Sequence, residues 1–82
     1  MNLIVLTPER EIFQGQIKSI KVPGISGQFE ILNNHAPIVA ALGQGDVRIL
    51  DNSGNKKIFK IKKGFIEVLK NDISLLVQGV QE

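Results

Sequence analysis

His35 is the only imidazole in the chain, and there is no cysteine. Nucleophilic or general-base chemistry built on it requires a hydroxyl or thiol beside one ring nitrogen and a carboxylate beside the other. Its chain neighbours, Asn34, Ala36 and Pro37, supply neither. A histidine ahead of Ala36-Pro37 reads better as closing a turn or sitting in a contact surface. The carboxylates Glu9, Glu11, Glu30, Asp46, Asp51, Glu67, Asp72 and Glu82 are scattered and mostly border turns, so their spacing marks no acid–base pair. One histidine without cysteine leaves a tetrahedral zinc without its ligands. The residues therefore read as a chain without catalytic groups, metal or cofactor.

Two further segments invite chemistry. Gly43-Gln44-Gly45-Asp46 looks superficially like a phosphate-cradling loop, but lacks the third glycine, the Lys-Ser/Thr pair and the helix that make such loops work. A hairpin turn explains it better. Lys56, Lys57, Lys60, Lys62 and Lys63 form a basic cluster around one hairpin. A nucleic-acid sheet interleaves stacking aromatics with such charges, and this chain has no Tyr or Trp. Lysines on an exposed face, guarding an edge strand, fit instead. A lipoyl- or biotinyl-type carrier domain also has this size and class. It needs a lysine at a hairpin tip between a characteristic Asp or Met, and Asn55-Lys56-Lys57 lacks those flanks.

The elements that would hold these residues are strands. Apolar residues recur with period two, broken at short intervals by turn residues. Leu3 to Leu6 is followed by the turn Thr7-Pro8-Glu9-Arg10. Ile12 to Val22 is extended, but its phase slips: Ile12 and Phe13 are adjacent, and Ile17 is out of step with Ile20 and Val22. That slip predicts a bulge or bend where one long strand passes between sheets. Pro23 to Gly27 is a turn; Phe29 to Leu32 is a strand; Asn33 to Pro37 breaks the chain. Ile38 to Leu42, Val47 to Leu50, Phe59 to Ile61, Phe65 to Leu69 and Ile73 to Val77 complete the strands, with Asp51 to Asn55 the clearest hairpin loop. The count is about eight or nine short strands and no helix, which predicts an all-β antiparallel sandwich or flattened barrel.

Composition sets the scale. The 82 residues make one domain, 1–82, and a chain this short buries only about 60–65% of its unfolded surface. An apolar fraction of 43% is ordinary for a globular domain. The net charge of +2 is too small to argue for nucleic acid. No apolar run approaches the roughly 20 residues that cross a bilayer. Met1 to Leu6 is short, lacks a basic flank and runs into Thr7-Pro8-Glu9, unlike a signal peptide. Without cysteine or an export signal, the expected compartment is the cytoplasm.

One ordered set of motifs is more specific. Leu6-Thr7-Pro8-Glu9, Phe13-Gln14-Gly15, Val22 to Gly27, Phe29 to Pro37, Leu42, Gly45, Gly64 to Val68 and the strand Ile73 to Val77 resemble the epsilon subunit of F-type ATP synthases. The turn followed by His35-Ala36-Pro37 is the most telling element. The resemblance implies a two-sheet antiparallel β-sandwich of about ten short strands. It implies a non-catalytic central-stalk subunit that grips the gamma subunit and rests on the c ring, passing torque between them, on the cytoplasmic face of a bacterial inner membrane. By the same resemblance Thr7, His35 and Ala40 face gamma, while Ile25, Ser26 and Gln28 touch the polar loops of the c ring. Gln28 stands where many relatives carry an acid, and Glu30 and Asn34 stand where glycine is common. Most of the family continues into a helical hairpin that inhibits hydrolysis and in some members binds ATP. The present sequence ends at Val80-Gln81-Glu82, and the expectation is a chain without that hairpin or its nucleotide site.

Overall fold

The computed structural model describes all 82 residues, folded into eight strands without a helix. They are β1 (Asn2–Leu6), β2 (Glu11–Gly24), β3 (Gly27–Leu32), β4 (Ile38–Leu42), β5 (Gly45–Asp51), β6 (Lys56–Ile61), β7 (Lys63–Leu69) and β8 (Asp72–Gln78). The sandwich is the expected one, with eight strands rather than about ten. One layer contains β4, β7, β8, β1 and the first half of β2; the other contains β3, the second half of β2, β5 and β6. Every pairing is antiparallel except β1 with β8, which run parallel with Asn2 opposite Asp72 and Leu6 opposite Leu76.

The phase slip in the sequence is real and has two sources. Against β1 the register jumps between Val5 and Leu6, which face Phe13 and Glu11 and leave Ile12 as the extra residue. Against β5 it jumps between Ile17, opposite Asp51, and Ser19, opposite Leu50, leaving Lys18 as the extra residue. An inserted residue bends the strand and flips its later side chains to the other face. Ile17 can thus point into the core from the first half of β2, and Ile20 and Val22 from the second.

Inward residues of both layers make one cluster of 16 buried apolar side chains. Leu3, Val5, Ile66, Val68, Ile73 and Leu75 come from one sheet, and Ile20, Val22, Ile31, Val47, Ile49 and Phe59 from the other. Phe59 is the largest side chain fully inside. No buried side-chain nitrogen or oxygen lacks a hydrogen-bond partner.

Two turns differ in kind from one another. Asp51 to Asn55 is the β5–β6 hairpin loop read from the sequence. There the Asp51 Oδ1 accepts the amides of Ser53 and Asn55, both at 2.9 Å, which with the Asn55 bond foremost holds its carboxyl below the usual range. Gly43-Gln44-Gly45, expected as a hairpin turn, is instead a crossing between layers. β4 pairs with β7 and β5 with β6, so the two strands it joins are not partners. The reason is Pro23, whose carbonyl accepts the Gly43 amide at 2.8 Å and whose ring leaves no room for a Cβ at Gly45, 2.7 Å from its own.

Two outcomes follow from this packing. Phe59→Ala opens a cavity at the centre and should cost about 3–5 kcal/mol in urea unfolding, a large part of the stability of so small a domain. Asp51 has a depressed folded-state pKa, so its contribution is present above the unfolded value of about 3.9 and is lost as pH falls through the folded one. The melting-temperature gap between wild type and Asp51→Ala should accordingly be full at neutral pH and close progressively below about pH 4.

Candidate functional site

Outward side chains of the first sheet line up across strands because the registers are in phase. Leu6 lies opposite Leu76, Leu76 opposite Phe65, and Phe65 opposite Ala41. The result is an apolar row across four strands, with Phe65 42% and Leu76 48% exposed. Val39 continues it one step along β4 and is 60% exposed. The four residues of the row line a shallow depression of about 660 Å3, with Thr7, Pro8 and Ile25 on its border and Lys63 and Gln78 among its polar members. Scattered exposed aliphatics are ordinary on a protein surface, whereas a contiguous row with a depression marks a contact surface.

Thr7 sits at the head of the β1–β2 turn and is committed to it. Its hydroxyl accepts the amides of Glu9 at 3.2 Å and Arg10 at 2.9 Å and donates to the Arg10 carbonyl at 3.0 Å. Its contribution at the rim of the depression is shape and a methyl group. Ile25 and Ser26 form the two-residue turn between Gly24 and Gly27, both exposed, and Gln28 follows on β3. Ile25 is 71% exposed, and its amide donates to the Ala41 carbonyl at 3.2 Å, which fixes the turn beside the apolar row. A Cβ at Gly24 would lie 2.6 Å from the Gly27 carbonyl oxygen, so glycine there is a requirement of the tight hairpin.

His35 is at the other end of the same sheet. It precedes β4, whose first residue Ile38 pairs with Val68, four positions along β4 from Leu42 opposite Gly64. Four strand residues span about 13 Å, so Thr7 and His35 bracket the sheet rather than meet. The His35 loop is tied down by its neighbour. Asn34 adopts φ 64°, its amide donates to Asn71 Oδ1 at 2.8 Å, and Asn71 Nδ2 donates to Asn34 Oδ1 at 3.1 Å. Asn71 itself has φ 64° in the β7–β8 turn, beside Lys70 at 51°. His35 Nδ1 lies 2.7 Å from the Ala36 carbonyl oxygen. A carbonyl only accepts, so Nδ1 carries the proton in this contact, and Nε2 is left for a partner. Within the chain, the side-chain hydrogen bond of this ring is to the Ala36 carbonyl.

Ala40 is placed differently from the other two. It is the middle residue of β4, opposite Ile66, and its half-buried side chain packs against the core. The flanking residues Val39 and Ala41 present the outer face. Sequence reasoning did not single them out, although the inward trio Ile38, Ala40 and Leu42 implies them by period two. Phe65 and Leu76 fall in the motif runs Gly64 to Val68 and Ile73 to Val77, but the sequence gives neither a contact role. Their signal is visible only once registers put them side by side. Lys56 and Lys57 lie within β6 rather than at the loop tip, where a carrier domain would need its modified lysine.

Comparison with known proteins agrees with this architecture. A family model described as "ATP synthase, Delta/Epsilon chain, beta-sandwich domain" matches residues 1–82. The ATP synthase epsilon chain of Chlorobaculum tepidum is 40% identical over 79 residues, covering 96% of this chain and 90% of the relative. That of Caulobacter vibrioides is 33% identical over 82 residues, covering 94% of the relative. The epsilon chain of Leptospira borgpetersenii is 43% identical, but only 59% of it is covered. Among solved structures, a chain of the Tetrahymena thermophila mitochondrial ATP synthase central stalk and c ring superposes with a TM-score of 0.84 at 16% identity, over 99% of this chain and 65% of that one. A chain of the Euglena gracilis mitochondrial ATP synthase superposes with 0.89 at 20% identity, over 96% of this chain and 51% of that one. At those identities the superpositions establish the fold. The chain belongs to the ATP synthase delta/epsilon family and corresponds to its β-sandwich domain.

The Asn34–Asn71 clasp has a measurable consequence. Asn71→Ala removes both side-chain hydrogen bonds and puts a residue with little tolerance for the left-handed region at φ 64°. It should cost about 1–3 kcal/mol and accelerate amide exchange at Asn34.

Proposed function

We propose that this chain is a non-catalytic rotor subunit of a proton-translocating F-type ATP synthase. It binds the gamma subunit along the outer face of the β1–β8–β7–β4 sheet and rests on the c ring through the Ile25–Gln28 turn. The observation that carries this reading is the apolar row from Leu6 to Ala41, which lines a depression bordered by Ile25 on a sheet bracketed by Thr7 and His35. A long apolar row suits a lasting grip on a rigid partner, since buried apolar area supplies the adhesion while polar rims fix the register. The exposed turn at one end is a small polar and aliphatic tip, suited to the polar loops of a membrane ring. Proton flow turns the ring, the domain holds gamma to it, and gamma drives the catalytic subunits. The work asked of this chain is stiffness: a sandwich closed around one core transmits torque without making or breaking a bond. In this reading the chain is peripheral, at the cytoplasmic face of a bacterial inner membrane.

Pull-down and titration with the gamma subunit test the assignment. Phe65→Ala, on the exposed face, should leave the fold intact and weaken gamma binding about thirtyfold, as loss of a hot spot of about 2 kcal/mol does. His35→Glu should weaken it as well. Cysteine in place of Gln28 should cross-link to the c-subunit loop in an assembled complex, and cross-linking to gamma alone would reverse the proposed orientation.

A further inference from the structure

Most strands of this domain have neighbours on both sides, but β3 hydrogen-bonds to β2 and to nothing else. Its free groups can be identified. Pro23 turns its carbonyl away from β3 to the Gly43 amide, so the odd-numbered residues of β2 in this half aim their backbone groups at β5 and β4, and the even ones at β3. The β3 partners of Ile20, Val22 and Gly24 are Ile31, Phe29 and Gly27. Gln28, Glu30 and Leu32 therefore point their N–H and C=O groups outward, because bonded and non-bonded positions alternate in an antiparallel ladder.

This edge lacks the bulges, prolines and lysines that guard most free edges. Its pairing with β2 runs without a register shift, and it contains no proline and no lysine. The edge of β6 is handled otherwise. Lys60 exchanges two backbone bonds of 2.9 Å with Gln81, and Lys56 stands exposed beside it. Unprotected edges of this sort pair with other strands, most readily with an identical one, unless a charge opposes it.

A second β3 meeting the first antiparallel about a two-fold axis has three registers that pair at least two outward residues of each copy. The longest sets Gln28 opposite Leu32 at both ends and uses all three outward residues of each copy. It also sets Glu30 directly opposite Glu30. Sliding one way pairs only Gln28 with Glu30 and leaves Leu32 unpaired; sliding the other way presses Glu30 against Leu32. Glu30 thus opposes the best register by like-charge contact and one alternative by placing a carboxylate on an aliphatic side chain. Glu30 makes no direct ion pair within its own sheet. Lys21 is its cross-strand neighbour, with Arg48 beyond, yet neither lies within ion-pair distance of Glu30.

We propose that the free edge of β3 is self-complementary in its backbone, and that Glu30 keeps two copies of this chain from joining through it. Sedimentation equilibrium between about 10 μM and about 1 mM tests this on the isolated chain, a range that resolves dimers of modest affinity. Wild type should remain at 9.0 kDa throughout. Glu30→Thr, with a strand-forming residue, and Glu30→Gln, of unchanged shape, should both rise towards twice that mass with concentration. Leu32→Pro added to either variant removes one outward N–H and should restore the monomer, with circular dichroism verifying that each protein keeps its sheet. A wild-type dimer, two neutral variants that stay monomeric, or association that survives Leu32→Pro would each overturn the proposal.

Discussion

Strand β2 is fourteen residues long, and its two halves serve opposite layers of the sandwich. The first half pairs with β1, the second with β3 and β5, and the change is made by one surplus residue, Lys18. Loops also cross between the layers, but β2 is the one strand that belongs to both. It sets the orientation of one sheet over the other, and so decides which side chains meet in the core. It also places the Gly24–Gly27 hairpin beside β4, where the Ile25 amide reaches Ala41 and the apolar depression forms.

That geometry explains which parts of the fold a reader of the sequence could reach. The period of two is local and survives in the structure at nearly every strand, as in Lys57 to Ile61 with Phe59 and Ile61 inside. Phase slips are local too, so the bend in β2 was legible at Ile12-Phe13 and between Ile17 and Ile20. Partnership is not local. Gly43-Gln44-Gly45 has the composition of a hairpin turn, and only Pro23, twenty residues earlier in the chain, makes it a crossing between layers. The parallel docking of β1 on β8 is invisible for the same reason: nothing near Leu3 says which strand will lie beside it.

The candidate site divides along the same line. Motif residues such as Thr7, His35 and Ile25 stand out in the sequence because they sit in turns, where residue type is constrained. The structure assigns several of them local work: the Thr7 hydroxyl is spent on its own turn, and Asn34 holds the His35 loop to Asn71. The broad apolar surface between them is made of Leu6, Leu76, Phe65 and Ala41, none of which is distinctive alone. Such a surface is a property of register, and register is set by the whole sheet.

The first and last strands of this chain are partners, with Leu3 opposite Ile73 and Leu6 opposite Leu76. On the ribosome, β1 is made before the other seven strands, and almost the entire domain must follow before β8, its second neighbour, exists. Until then Leu3 and Val5 have half their enclosure, and β2 must hold β1 by a single antiparallel ladder. Closing such a distant pairing carries a loop entropy that local hairpins avoid, so the finishing step is slow and comes late. The nascent chain spends that interval with apolar strand edges open, the condition in which strand-rich chains are most exposed to aggregation.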